Sequence, residues 1–372
     1  MTVSITNVVN VSVSTPQTGL GEYSVNNVAL FTHENPVSGW GDFGYMIVRG
    51  SSPVVEEFGS DSQTAKMASI VFSQRLSLLS GNGVLIIAPM AGATLALSDI
   101  TDLAKKIYFV GTISTVTNPS DSNVLALAQG VQGLQNKVLY APISTIPQIS
   151  GLGTDIKNGT LTNTRILYHS DPEMALLLCA GVASKMGSVN YYASNTSLTM
   201  HLKVIEGILP DNSVNDTVLA NLKTAGVDAY VNIAGLPRML TSGENEFLDV
   251  VMGMIWLQGA FEINYFNTLA TTRTKIPQTE RGMDSIKSAL RMVCRIAVLN
   301  QTSAPGFWDG DKFGNEEDLM RNIEDQGYYI WSLPVREQLT SERRKRIAPI
   351  IQIGIKLASA VHSGNLIVQI NP

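Results

Sequence analysis

Hydrophobic and polar residues alternate near the amino terminus, and this alternation predicts a β-strand. Between residues 3 and 13 aliphatic side chains occupy most odd positions, while Ser, Thr or Asn occupies most even positions, with a break at Asn7 and Val8. Successive side chains of a strand point to opposite faces, so the pattern predicts a strand with one apolar face. The apolar face carries Val3, Ile5, Val9, Val11 and Val13.

The residues after this strand predict a flexible connection. Pro16 ends the alternation, and the predicted hinges Gly19 and Gly21 follow it. Proline and glycine in close succession interrupt regular structure and favour a linker. We therefore expect residues 1–22 to form a strand arm and its linker.

The carboxy terminus has the same arrangement. Gly364 is a predicted hinge, and Leu366, Val368 and Ile370 follow it on one face of a predicted strand. The sequence offers neither terminal strand a local partner. We therefore expect residues 363–372 to form a second strand arm.

Four strand-then-helix units succeed one another between residues 84 and 186. Short β-rich runs, such as VLIIAP at 84–89 and RILYHS at 165–170, each precede a helical pattern. Successive units of this kind favour a largely parallel sheet with helices on both faces. Asp171-Pro172 is typical of a helix start, with Asp as the N-cap and Pro at the first helical position. We expect a parallel-rich α/β domain over residues 23–195.

The pattern changes to long helices in the second half of the chain. Residues 227–235 predict a further strand, and a period of 3.6 predicts long helices within residues 242–269 and 281–300. We expect a mixed carboxy-terminal domain over residues 196–362. The fold class is therefore α/β, or α+β overall.

The amino-acid composition argues against several classes of protein. Only 15% of the 372 residues are charged, 44% are hydrophobic, and the net charge is −5. This balance argues against a chain that is disordered throughout and against a nucleic-acid binder, which would usually be basic. The longest apolar stretch, Val250–Phe261, is too short to span a membrane, and the first residues lack a signal-peptide pattern. A surface with few charges readily packs against other protein.

Chemical motifs predict no catalytic, cofactor or metal site. GNG at 81–83 precedes a strand instead of joining a strand to a helix, so it does not predict a phosphate loop. The acidic segment from Asp309 imitates a calcium loop, but Phe313 and Met320 occupy two ligand positions. Cys179 and Cys294 lie in apolar helical patterns, which predict buried thiols.

One segment concentrates positive charge. Residues 336–356 contain six basic and two acidic side chains, although the whole chain is acidic. This pattern fits either a solvated helix face or a surface that binds an acidic protein. Pro349 leaves two structures open, a short helix followed by a second helix from Pro349, or one helix kinked there. The consecutive bases are Arg343, Arg344, Lys345 and Arg346.

Three segments together resemble the contractile tail sheath proteins of myophages, in their compact branch. They are the opening VSITNVVNVSVST with VNNVALFTHENP, the segment WLQGAFEINYFNTLATTRTKIPQTERGMDSIKSAL, and the close GYYIWSLPVREQLTSERRKRIAPIIQIGIKLASAVHSGNLIVQINP. The resemblance implies that both arms add strands to a small sheet in neighbouring subunits, where main-chain hydrogen bonds would join the chains. It also implies that Arg343–Arg346 face the acidic outside of a tail tube.

The resemblance implies a structural role. We expect a sheath subunit that polymerises helically around the tube and contracts without ATP to drive the tube through the host envelope. The expected partners are further copies of the chain, the tail tube protein, and the baseplate and tail terminator proteins. No cofactor, nucleic acid or membrane insertion is expected, and the expected location is the virion after assembly in the host cytoplasm. The alternatives are another tail component, such as a tube or baseplate protein, and an α/β nucleotide-binding enzyme.

Overall fold

The computed structural model describes residues 20–363. Its strands, labelled β1 to β10, are Val28–Thr32, Met46–Val48, Leu85–Pro89, Gly111–Ser114, Val138–Ile143, Thr164–Tyr168, Asp228–Ile233, Leu236–Leu240, Tyr328–Ser332 and Ile351–Ile355. Its helices, labelled α1 to α12, are Ser52–Phe58, Gln63–Ser73, Leu97–Ala104, Asp121–Leu134, Ile146–Gln148, Thr154–Asn158, Pro172–Gly187, Asp216–Ala225, Leu248–Thr271, Glu280–Leu299, Glu316–Gln326 and Thr340–Arg344.

The first eight of these strands form one sheet. Their order is β2-β3-β1-β4-β5-β6-β7-β8, and neighbouring strands are parallel except at the two edges, where β2 and β8 are antiparallel. Strands β1, β5 and β6 are buried along their whole length, as is typical of parallel strands covered on both faces. The prediction of a parallel-rich α/β sheet is confirmed.

Helices cover both faces of this sheet because side chains alternate along its strands. Val28 and Leu30 of β1 point into a core shared with α2, α7 and α9. Ala29 and Phe31 of the same strand point into a second core, shared with α3 and α4. The sheet is therefore the middle of three layers.

Helix α7 lies at the centre of the first core. It is buried from Ala175 to Gly187, and its N-cap Asp171 accepts hydrogen bonds from the N–H groups of Glu173 and Met174. The helix start predicted at Asp171-Pro172 is thus confirmed. Its Cys179 is a buried free thiol, as the sequence predicts.

The sheet continues beyond residue 195, where the sequence pattern predicts a domain boundary. Strand β7 pairs with β6, with Leu167 opposite Asp228. The buried Arg165 guanidinium lies 3.7 Å from the Asp228 carboxylate and also joins the two strands. Strands from both sides of residue 195 share one sheet, and the division into domains stays a prediction.

The two long helices predicted in the second half are present as α9 and α10, which pack together. Trp256 of α9 is fully buried and stacks on Tyr191, with ring centroids 5.2 Å apart. Gly259, also on α9, lies directly against the Tyr23 ring, which leaves no space for a larger residue. Helix α9 therefore holds the segment that follows the predicted amino-terminal arm. None of the helices within residues 20–363 has the length and apolarity needed to cross a membrane.

Candidate assembly interface

A two-stranded sheet in the carboxy-terminal part of the chain has free edges. Strands β9 and β10 are antiparallel, with Ile330 opposite Ile353 at their centre. Within residues 20–363 neither strand pairs with a third. Each strand therefore has one edge whose N–H and C=O groups can bond a strand of another chain.

Helices support this small sheet on both faces. Ile353 of β10 packs in a cluster with Leu290 of α10 and Tyr265 of α9. On the opposite face Gly354 lies against Ile323 of α11, whose side chain would be 3.3 Å from a Cβ added at this glycine. The edge of β10 is thus held in place before any partner arrives.

An apolar groove of about 660 Å³ borders β10. Helix α9 forms one wall, and the residues leading into β10 form the other. Phe266 and Leu269 on α9 are 51% and 50% exposed, and Ile347 on the opposite wall is 50% exposed. Glu262 is the single charged residue that the described part of the chain contributes to its lining. Exposed apolar surface of this kind is typical of a site that another chain covers.

The described chain starts on the same helix, α9. The Asn267 side chain on α9 accepts a hydrogen bond from the N–H of Leu20 over 2.7 Å and donates one to its C=O over 2.8 Å. Asn267 is not a groove residue: at 3.6 residues per turn it faces away from Phe261, Tyr265 and Leu269. Helix α9 therefore forms a groove wall with one face and holds the start of the described chain with another.

The other end of the described chain is held by aromatic rings. His362 stacks on His201, with ring centroids 4.4 Å apart, and meets the edge of Phe247 at 4.6 Å. Its Nε2 lies 2.8 Å from Oγ1 of Thr199. Burial, followed by the neighbouring His362, lowers the pKa of the His201 imidazole. Both predicted arms thus adjoin segments that are anchored to the folded core.

The four consecutive basic residues lie on the short helix α12 and the turn that follows it. Helix α12 ends at Arg344, and Arg346 adopts a left-handed conformation with φ of 60°. Residues 343–346 are all exposed, and none of them forms an ion pair with a carboxylate in the described part of the chain. Their charge is therefore available to a partner.

The second helix considered at Pro349 and the kinked helix are both wrong. Residues 351–355 instead form strand β10. The β-branched residues Ile351, Ile353 and Ile355 alternate along it and pair with β9, which favours a strand. The left-handed turn at Arg346 ends α12 before Pro349 is reached. The alternation of isoleucines is the signal in the sequence that could have identified this strand.

One known protein family covers the part of the chain that contains these features. Residues 248–370 match the family described as "E217 tail sheath protein gp31-like, C-terminal domain". The match begins at the first residue of α9 and includes the groove, the small sheet and the basic segment. The resemblance to contractile tail sheath proteins is confirmed. No protein among the curated ones matches the chain by sequence.

Solved sheath structures share the fold. The helical sheath of the anti-feeding prophage in its contracted state is 12% identical, covers 100% of this chain and 99% of its own, and superposes with a TM-score of 0.60. A chain of the same prophage's contracted baseplate is 12% identical over 100% and 99% of the two chains, with a TM-score of 0.63. The sheath tail protein from Desulfitobacterium hafniense is 8% identical over 94% and 100%, with a TM-score of 0.55.

The predicted arm residues are not among those that the structure describes. The hinges Gly19 and Gly364 also lie outside residues 20–363, as do the apolar arm positions Val3, Ile5, Val9, Val11, Val13, Leu366, Val368 and Ile370. Gly21 is described and has no atom within 4 Å of an added Cβ, and its role as a hinge stays a prediction. The sequence pattern does not indicate the surface that would receive the arms, which is the edge of β10 with its groove.

Proposed function

We propose that the chain is the structural subunit of a phage contractile tail sheath and that its subunits are joined by strand exchange. The amino-terminal arm of one subunit would add to the free edge of β10 in a neighbour, and the carboxy-terminal arm would add to the same small sheet. The polymer would surround the tail tube and contract to drive the tube through the host envelope. The observation that carries this proposal is the free edge of β10 beside an apolar groove. The sequence at both ends of the chain predicts strands with one apolar face, which such an edge and groove could bind.

The groove and the amino-terminal arm have matching dimensions. The groove residues of α9 run from Phe261 to Leu269, which corresponds to about 12 Å of helix at 1.5 Å per residue. Val9, Val11 and Val13 span about 13 Å of strand at about 3.3 Å per residue. A strand paired with β10 would place such a face on α9 and leave its Ser and Asn side chains to the opposite side.

The exposed basic residues support an acidic partner. Residues 343–346 lie on the end of α12 and the following turn, directly before Ile347, a residue of the groove wall. Exposed ion pairs are each worth about 0 to 1 kcal/mol and are weakened by salt. Repeated weak contacts would suit a sheath that first holds a tube and later moves along it.

Neutralising this segment should weaken tube binding. The double variant Arg343→Gln and Lys345→Gln is expected to reduce co-sedimentation with assembled tubes of the partner tail-tube protein, because each subunit would lose two charges. The loss should be larger at low salt, where screening is weaker.

A matched variant controls for the loss of charge alone. Arg49→Gln with Arg75→Gln also removes two exposed cations, but from the amino-terminal half of the chain. It should bind tubes as the unmodified chain does. Equal tube binding by both double variants would show that Arg343–Arg346 do not face the tube.

The proposed subunit is not an enzyme and needs no cofactor. Support comes from the matching family and the solved structures, which are structural sheath proteins. The proposed partners are further copies of the chain, the tube, and the baseplate and terminator proteins, in the virion after assembly in the host cytoplasm. Negative-stain microscopy tests the proposal, because a sheath subunit forms rings or helical tubes.

A further inference from the structure

The last described residues form a strap between the small sheet and the main sheet. After β10 the N–H of Ala358 donates a hydrogen bond to the C=O of Thr302. Residues 359–361 are then exposed, with Val361 90% exposed, before His362 reaches the rings of His201 and Phe247. His362 is therefore the last anchor before the predicted carboxy-terminal arm.

The hydrogen bonds around His201 require its neutral form. The backbone N–H of Thr241 donates to Nδ1 of His201 over 3.3 Å, and the Thr241 hydroxyl lies 3.1 Å from the same nitrogen. A nitrogen that accepts a hydrogen bond carries no proton, and both ring nitrogens of a charged histidine are donors. Protonation of Nδ1 would break the bond from Thr241.

The stacked arrangement also disfavours a second charge. The two imidazole rings are nearly parallel, 15° apart, with centroids at 4.4 Å, so two protonated rings would repel each other at close range. Lys203 and Lys223 add positive charge near His201.

Two carboxyl groups act in the opposite sense. Asp228 and Asp249 interact electrostatically with His362, although burial raises the pKa of both carboxyls. Asp228 is already held by Arg165 and by the N–H of Ser242. Because Asp228 already interacts with these two partners, it would stabilise a protonated histidine in the stacked pair less well.

We propose that the His201–His362 pair is a pH-sensitive clasp that sets where the carboxy-terminal arm leaves the folded core. The clasped state favours an unprotonated His201, so the pKa of His201 is lowered in that state. In the released state the pKa of His201 would return to its ordinary value. The released state then binds more protons, so a fall in pH favours release. Release would free residues 359–362, and four residues add about 14 Å to the reach of the arm at about 3.5 Å each.

A spin label on the strap tests this proposal in the full chain. Cys179 and Cys294 are buried, and burial raises the pKa of the Cys294 thiol to about 12, so a cysteine introduced by Val361→Cys can be labelled selectively. We expect an immobilised label at about pH 7.5 and a mobile label at about pH 5.5, with the ratio of mobile to immobilised spins rising about tenfold and reversibly. A label introduced by Met292→Cys, on exposed α10, should show no such change.

Two substitutions assign the effect to the histidine pair. His201→Phe keeps an aromatic ring against His362 but removes the nitrogen that must stay unprotonated, so the label should stay immobilised at both pH values. His362→Ala removes the anchor, so the label should be mobile at both. An unchanged spectrum in the chain with both histidines, or an equal pH response after His201→Phe, would overturn the clasp. Neither result depends on whether the chain polymerises.

Discussion

Deletion of residues 1–14 should abolish polymerisation and leave a folded monomer. The core should stay folded, because the segment that follows the arm has its own contacts: Leu20 bonds Asn267, and Tyr23 packs on Gly259 of α9. Burying three valines of the arm contributes about 5 kcal/mol, and each 1.4 kcal/mol is a factor of ten, so the critical concentration should rise about 1000-fold or more. Sedimentation velocity and circular dichroism would measure assembly and folding separately.

Substitutions on the two faces of the arm provide a sharper version of this experiment. Replacing Val9, Val11 and Val13 with Asn should have the effect of the deletion, because it removes the apolar face. Replacing Ser4, Asn10 and Ser12 with Ala changes the opposite face and should preserve assembly. If the deleted chain still forms polymers, the amino-terminal arm is not the joint.

A charge placed in the groove should prevent assembly almost as completely. Phe266→Glu puts a carboxylate on the wall of the groove, where it is solvated in the monomer but would be buried by an incoming strand. Desolvation of an unpaired charge costs several kcal/mol, so polymers should disappear at concentrations where the unmodified chain assembles. The monomer should keep its thermal stability, because Phe266 is half exposed.

The same substitution elsewhere on α9 is the matched control. Met254 is 45% exposed and does not line the groove, so Met254→Glu introduces the same charge on the same helix. It should polymerise at the concentration that the unmodified chain needs. Equal assembly of the two variants would exclude the groove as the site that receives the arm.

Local sequence signals predicted most of the main fold. The strand-then-helix order gives the parallel sheet, because connections through helices favour parallel pairing. Asp171-Pro172 locates the start of α7, because its capping bonds reach only two or three residues along the chain. The long helices α9 and α10 follow from their apolar periodicity.

The receiving surface could not be predicted in this way because its contacts are distant in sequence. Strand β10 pairs with β9, about 20 residues earlier, and its groove is completed by α9, about 85 residues earlier. The alternation of Ile351, Ile353 and Ile355 was available, but Pro349 and the preceding basic residues favoured a helical interpretation. Register and edge exposure are properties of the assembled fold, which a local pattern does not encode.

The same limit applies to the ends of the chain. The alternation of residues predicts a strand at each end of the chain, but it does not indicate the contacts that hold the adjoining segments. His362 meets His201 across more than 150 residues, and nothing near either histidine indicates the other. The extension of the main sheet beyond residue 195 is a further example, since the pairing of β7 with β6 crosses the segment where the sequence pattern changes.

Negative-stain electron microscopy of the concentrated full-length chain tests the central claim most directly. A sheath subunit joined by strand exchange should form rings or helical tubes with a central channel wide enough to hold a tail tube. These polymers should be absent for the chain that lacks residues 1–14. Persistent monomers of the full-length chain after concentration, with no rings or tubes, would contradict the account.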